Sequence, residues 1–348
     1  MGFFDAFLRA DSGTVGIDIG SHTIKAVEIS RKGGRLGLVH YGLGQLPQDA
    51  IVDGEVMDRD VVVECLQETL RESGITVRNA VSAISGRSVI VKRITMDTMT
   101  EQEAEEAIYW EAEQHVPYGI DEVSLDFQVL GDIGDGKMDV LLVAAKRDTV
   151  EMHTSLLRDA GLVPFVVDVD SLAVQNSFEM NYEIEPEEKI LLLNVGASVT
   201  NLSLLSRGAP LFTRDLSVAG NAFIEEIQRV MNVDRSEAER IAASVDDEDA
   251  GAVGPILNTV GQDLLLGVER SLSYLKGNTG SSDVSRAYLS GGGALLPGLH
   301  SFLSERLGVP VEIANPLRNL LHDPSLFGDA DPELTGPALA VAVGLALR

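Results

Sequence analysis

Near the start of the chain, Asp18, Gly20, Ser21, His22, Thr23 and Lys25 have the types and spacing to hold a phosphate group. Gly20 lets bare backbone approach an anion, and the N–H groups of a tight turn can converge on it. Ser21 and Thr23 add hydroxyl donors, and Lys25 adds a positive charge on a flexible stem. Asp18 repels phosphate unless a divalent cation stands between them; a carboxylate beside phosphates is where Mg²⁺ is held, often through its waters. A second stretch repeats the grammar: Asn194 and Gly196 fall where Asp18 and Gly20 fall, and Thr200 follows as Thr23 does. Gly291, Gly292 and Gly293 make a third feature, where a nucleoside can lie against backbone free of side chains. Gly220 opens a later helix whose Glu225 is a candidate contact to ribose or base.

These residues need strands and turns to position them. Val15, Ile17 and Ile19 alternate with Gly16, Asp18 and Gly20, the period of a pleated strand, and Ile24 to Ile29 resumes as a second strand. The first feature is therefore a hairpin tip, and Leu191 to Leu205 repeats it. Arg35 to Gln45 reads as a third strand. Val61, Cys65, Leu66 and Leu70 form the stripe of a helix capped by Asp60 and ended by Gly74. Val77 to Ser85 returns as a strand. From Gly86 to Asp159 the pattern changes to strands at Val89–Ile94, Leu125–Leu130 and Met138–Ala145, with two helices. The first of these opens on the capping box Thr100–Glu103 and stops before Pro117; His115 at its end suits the helix dipole. Pro255 to Lys276 reads as one long amphipathic helix, Asp246–Asp249 as a solvated loop, Asn315–Asp331 as a polar loop with mobility, and Gly336–Leu347 as a last helix. The expected division is an apolar segment at 1–12 and a first-lobe core at 13–85, 160–186 and 336–348. Residues 86–159 form an insert, and 187–335 a second lobe whose helical part is 217–283.

A chain of 348 residues with 45% hydrophobic content has length for two lobes with a large core. The single cysteine, Cys65, excludes an intramolecular disulfide and fits a reducing cytoplasm. No His/Cys group has metal-ligand spacing, and no apolar run is long enough to span a bilayer. The formal charge of −27 disfavours binding to nucleic acid or to anionic lipid, both of which need clustered lysines and arginines. Phe3, Phe4, Phe7 and Leu8 fall on one face of a short N-terminal helix, and its acidity favours docking on protein over membrane.

The order hairpin, hairpin, glycine triplet resembles the actin-like ATPase superfamily. Asp18, Gly20, Ser21, Thr23 and Lys25 match its first phosphate motif, Gly196 and Thr200 its second, and Gly291, Gly292 and Gly293 its adenosine motif. The likeness implies an α/β, actin-like (ribonuclease H-like) two-lobed fold with an inserted α+β subdomain in the first lobe. The opening GFFDAF…VGIDIGSHTIKAVEI and the insert's EAIYWEAEQHVPY are similar to the PilM family of type IV pilus assembly proteins, a likeness that runs from Val15 to the end. It implies ATP and Mg²⁺ bound between the lobes, with Asp18 toward the metal. It also implies capture of the N-terminal cytoplasmic tail of PilN in a groove between first lobe and insert, at the cytoplasmic face of the inner membrane. Pilus motor ATPases are the further partners it implies. Asn194 stands where the superfamily usually has an aspartate, and Ala242 where relatives often carry a lysine. The expectation is ATP binding with slow hydrolysis or none, and no catalytic residue is assigned. The alternatives are an FtsA-like membrane-associated cytoskeletal or division ATPase, a type II secretion platform component, or a true ATPase or kinase using the same cleft.

Overall fold

The computed structural model describes residues 13–52, 54–243, 253–279 and 283–348. The N-terminal apolar segment and the Asp246–Asp249 run lie outside the described residues. The chain begins as a meander of β1 (Thr14–Ile19), β2 (Thr23–Lys32) and β3 (Arg35–Gln45). A small hairpin, β4 (Ile51–Val52) and β5 (Glu55–Val56), leads to α1 (Arg59–Glu72) and β6 (Asn79–Ile84). Next come β7 (Val89–Asp97), α2 (Glu101–His115), β8 (Val123–Gly134), β9 (Lys137–Lys146) and α3 (Arg147–Asp159). β10 (Val163–Val169) and α4 (Asp170–Asn181) follow. The second half contains β11 (Lys189–Val195), β12 (Thr200–Ser206), β13 (Ala209–Leu216), α5 (Gly220–Met231) and α6 (Arg235–Ala242). It continues with α7 (Gln262–Thr279), β14 (Arg286–Ser290), α8 (Leu299–Leu307), β15 (Val311–Ile313) and α9 (Ala340–Ala346).

Two five-stranded sheets have the same plan. The first runs β10-β6-β1-β2-β3 and the second β13-β12-β11-β14-β15. In each, one strand is antiparallel to its hairpin partner and parallel to the strand on its other side: β1 with β2 and β6, and β11 with β12 and β14. Parallel neighbours need crossover helices, and these cover the faces of both sheets. α4 and α9 lie side by side between the two sheets. Ala173, Val174 and Phe178 of α4 and Val341 and Leu345 of α9 share a core with Val81 and Ala83 of β6 and with Ile190, Leu192 and Tyr288 of the second sheet. The helices can approach this closely because Gly344 has no side chain: a methyl there would overlap the carbonyl oxygen of Ala173. Gly16 on β1 plays the same part toward Ala342 and Ala346 of α9.

A third sheet, β7-β9-β8, carries α2 on one face through Ile94, Ala104, Ile108, Ala112, Val140 and Leu142. Its other face rests against Val169 and Leu172 through Val89, Val91, Leu141 and Val143. α3, read from sequence as part of the insert, instead buries Leu156 and Leu157 in the first-lobe core with Val15, Ile17 and Leu66. Arg59 of α1 ties it there, reaching Ser155 Oγ at 2.8 Å and Asp159 Oδ2 at 2.5 Å.

Other local expectations also change. The cap of α1 is Asp58, whose carboxylate accepts from Val61 N at 3.2 Å, rather than Asp60. The long helix of the second lobe includes a wider π turn at Leu257–Gly261, where Gly261 lies against Phe302. His115 does not serve the helix dipole as a cation. Burial and the neighbouring Lys92 charge hold its pKa down, with Lys92 Nζ 3.2 Å from the ring. The polar stretch Asn315–Asp331 is pinned. Leu317, Leu320 and Phe327 are buried, Leu38 N donates to Leu321 O at 2.8 Å, and Asn319 N to Asn181 Oδ1 at 2.8 Å.

Gly344→Ala is expected to lower stability by about 1–3 kcal/mol, because the backbone of α4 cannot yield as a flexible side chain would. Gly277→Ala, in open space on α7, is expected to raise it by about 0.5–1 kcal/mol. Paired denaturant melts of the two variants check both signs.

Candidate functional site

A cavity of about 480 Å³ opens between the lobes where the two hairpin tips face each other. Its lining includes Asp18, Gly20, Ser21, His22, Thr23 and Lys25 from the first lobe, with Asn194, Gly196, Gly220, Gly291, Gly292 and Gly293 from the second. The two turns are built alike: Gly20 N donates to Thr23 O at 3.2 Å, and Gly196 N to Val199 O at 3.0 Å. A side chain on Gly20 would press on the Lys25 ammonium, which sits 3.1 Å from Asp18 Oδ2. Gly291, at φ +82°, and Gly293 pack their bare Cα positions on Val195, while Gly292 faces open space. Gly291 N donates to Pro337 O at 2.7 Å, which ties the glycine triplet to the segment leading into α9.

Two residues proposed from sequence are placed elsewhere. In the β-ladders Ile19 pairs with Ile24, and Val195 with Thr200. The counterpart of Thr200 is therefore Ile24, and that of Thr23 is Val199. One step of register turns a side chain to the opposite face. Thr200 is accordingly fully buried, and its hydroxyl donates to Val218 O at 2.8 Å instead of lining the cavity. Glu225 lies on the exposed side of α5, outside the cavity. From the second lobe's helices, the acidic residue that lines it is Glu239 of α6, which accepts from Arg235 Nε at 2.7 Å. Arg235 also donates to Asn221 Oδ1 at 2.7 Å, so α5 and α6 present one joined polar edge beside apolar Phe223, Leu295 and Leu296. Arg235 and Glu239 lie one helical turn apart, and that spacing was the sequence signal for them.

The register also shows Asn201 opposite Asn194, in the place of Lys25 opposite Asp18. It belongs to a polar ladder crossing the second sheet. Ser290 Oγ donates to Asn194 Oδ1 at 3.2 Å, Asn194 Nδ2 to Asn201 Oδ1 at 2.9 Å, and Asn201 Nδ2 to Asp215 Oδ1 at 2.9 Å. Gly86 N, at the entry to the insert, donates to Asp215 Oδ2 at 2.7 Å.

Asp170, at the first position of α4, also lines the cavity. Desolvation pushes its carboxyl up to about 7; the Asp18 charge adds to this, while Ser85 and Lys25 oppose it. His153 of α3 lines the cavity as a neutral ring, pushed down to about 4 by desolvation, with Nε2 2.8 Å from Ser82 Oγ. Since Ser82 gives its proton to Ile17 O at 2.6 Å, the imidazole is the donor to Ser82. Among the described residues no three Asp, Glu, His or Cys side chains converge as a metal centre. A cation here would take one or two carboxylates and complete its shell from a ligand and water, as Mg²⁺ does.

The family model for type IV pilus assembly protein PilM matches residues 16–348. A chain of the PilM-PilN type IV pilus biogenesis complex is 33% identical, with a TM-score of 0.84 over 96% of this chain and 98% of that one. Ethanolamine utilization protein EutJ from Carboxydothermus hydrogenoformans, 16% identical, has a TM-score of 0.58 over 96% of this chain and 88% of that one. MreB5 of Spiroplasma citri, solved with ADP, is 13% identical, with a TM-score of 0.54 over 97% and 95%. The likeness to the last two shows the actin-like fold alone.

Two expectations follow from the site. Thr200→Val, which strands the Val218 carbonyl, is expected to lose about 1–2 kcal/mol of stability in urea melts. It leaves the cavity lining unchanged. The second concerns Glu179 on α4, which burial pushes up to about 7 although Gln175 Nε2 donates to it at 2.6 Å. Asp170 and Glu179 both hold their protons more tightly in the folded chain than in the unfolded one. The stability contributed by these two carboxyls therefore falls as pH rises from about 4 through about 7 and is level above, while that of His153, pushed down to about 4, rises over the lower part of the same window. Glu179→Gln is expected to flatten part of that fall, with Asp170 supplying the remainder, in melts compared at about pH 5 and about pH 8.

Proposed function

This chain belongs to the PilM family of type IV pilus assembly proteins, and from that premise we propose that it is a nucleotide-gated scaffold. On this reading it binds ATP with Mg²⁺ in the interlobe cavity and the N-terminal cytoplasmic tail of PilN at its first lobe. The observation that carries the nucleotide half is the pair of facing glycine turns across a cavity of about 480 Å³, within the size range of small-ligand and cofactor sites. The phosphates would lie on Gly20–Thr23, with Lys25 as counter-charge. The adenosine would lie over Gly291–Gly293, with Glu239 and Arg235 at its edge. The donors fit Mg²⁺: Asp18 and the desolvated Asp170 bring two carboxylates to one end of the cavity, where each charge disfavours the other. A bound cation would relieve that repulsion and neutralise phosphate oxygens.

The tail half rests on two open sheet edges. β10 and β8 are each the outer strand of their sheet, and α3 packs against both. Val163 and Phe165 stand exposed along β10. An extended peptide can add to such an edge, with backbone bonds fixing register and apolar anchors adding affinity. Burial pushes the Asp168 carboxyl of β10 up; Arg348 opposes this, and Asp126 on β8 adds to it, which puts the two edges within electrostatic reach of each other. The net charge of −27 suits a tail with membrane-flanking basic residues. No described helix is long and apolar enough to cross a membrane, so contact with the inner membrane would come through that tail. α3 borders both sites: Met152 and His153 line the nucleotide cavity. Nucleotide binding would thereby bias tail affinity, and the loaded scaffold would pass its state to the pilus motor. Asn194 lacks the charge that would help order an attacking water, so binding rather than turnover is the working event.

Calorimetric titration of a PilN N-terminal peptide, with and without Mg-ATP, tests this. Micromolar binding, about −8 kcal/mol, is expected, and a tenfold change with ATP would equal about 1.4 kcal/mol of coupling. Phe165→Ala should weaken the peptide about tenfold. Asp18→Ala should remove the ATP effect and leave peptide binding in place. No heat from the peptide in either condition would overturn the tail reading, and no heat from Mg-ATP alone would overturn the nucleotide reading.

A further inference from the structure

Trp110, the single tryptophan of the sequence, is 73% exposed, more than any other large hydrophobic side chain among the described residues. Tyr109 beside it is 53% exposed. Both project from α2, which uses Ala104, Ile108 and Ala112 to pack on the insert's sheet. A helix already anchored through one stripe has no folding reason to hold two adjacent aromatic rings in water. The helix itself is strongly acidic, with Lys92 of β7 beside His115 at its C-terminal end. Glu101–His115 contains six glutamates and no lysine or arginine, and Glu105, Glu106 and Glu113 stand exposed with no ion pair among the described residues. Glu106 and Glu113 lie one turn on either side of Trp110, so their carboxylates flank its ring.

We propose that the Tyr109–Trp110 face of α2 is a docking surface for a lysine- or arginine-bearing segment of a partner protein. Charge complementarity selects that occupant. A second copy would bring the same acidic face and a net charge of −27 against this one, and an anionic membrane would be repelled in the same way. Guanidinium or ammonium groups are attracted both to the flanking carboxylates and to the faces of the two rings, and tryptophan and tyrosine are the side chains that most often dominate such contacts. The surface is separate from the sites proposed above. α2 covers one face of the insert's sheet, and the first lobe meets the other. It stays open while the cavity and the β10 edge are filled, so one molecule can hold two protein segments at once.

Because Trp110 is the only tryptophan, its emission reports this surface alone. The probe is a short synthetic amphipathic peptide of arginine and leucine, with the same peptide carrying glutamate for arginine as its control. The arginine peptide is expected to shift emission to the blue and shield Trp110 from acrylamide, and the glutamate peptide to do neither. Glu106→Gln with Glu113→Gln, or Tyr109→Ala alone, should weaken the response about tenfold. Glu68→Gln with Glu72→Gln, on exposed α1, should leave it unchanged. An unchanged emission with the arginine peptide would overturn the proposal, as would an equal response to both peptides. A shift produced by raising protein concentration, or by phosphatidylglycerol vesicles, with no shift from the peptide would overturn it in favour of self-association or lipid.

Discussion

The bare Cα of Gly344 against the carbonyl of Ala173 is the contact on which the rest of the molecule depends. α4 and α9 form the layer that both sheets share, and their separation sets how far apart the sheets stand. The hairpin tips sit at the ends of β1 and β11, so the spacing of the two sheets becomes the width of the cavity. Neither helix has a strong charged face to orient it. Close backbone approach does that work instead, aided by Gly16 under α9 and by the tie from Gly291 N to Pro337 O.

The second lobe solves its electrostatics differently from the first. At the tip of β1 a carboxylate and a lysine face each other across the hairpin; at the tip of β11 the same two register positions hold Asn194 and Asn201. Asparagine can accept on one atom and donate on the other, which lets the ladder run in one direction from Ser290 to Asp215. An aspartate at position 194 could not donate to Asn201, and the bond to Asp215 would lose its order. The negative charge is thereby carried two strands away, where the Gly86 amide meets it at the junction with the insert. The network is buried and paired at Ser290, Asn194 and Asn201, where such pairing rigidifies a fold, and it reaches the surface at Asp215, where it meets the insert.

Much of this was legible in the chain because glycines and alternation mark hairpin tips directly. The two turns, the glycine triplet and the capping box of α2 all appear where residue type and period place them. Thr200 misled because it stands four residues after Gly196 where Thr23 stands three after Gly20, and that offset of one residue moves a hydroxyl from cleft to core. Glu225 misled because α5 offers two adjacent glutamates and the cavity takes neither; the acid that lines it comes from the next helix, whose approach is a tertiary fact. Asn315–Asp331 looked mobile by composition, yet its Leu317, Leu320 and Phe327 side chains are buried against the first lobe. α3 looked like part of the insert because it follows β9 without a break. Leu156 and Leu157 show its allegiance, and chain order carries no sign of it.

The position of α9 has a further consequence for how the molecule is made. Val343 and Ala346 cover Val27, Ile29 and Leu38, so the inner face of the first sheet is finished by residues near the very end of the chain. Its first three strands leave the ribosome before the whole second lobe, and although α1 and α3 can cover their other face, this one stays open until that lobe has been translated. The second lobe has its own core, from Leu191 to Val311, and can close during synthesis. The faces of both sheets turned toward α9 are therefore closed last, and the first hairpin tip is among the last parts to be held in its final place.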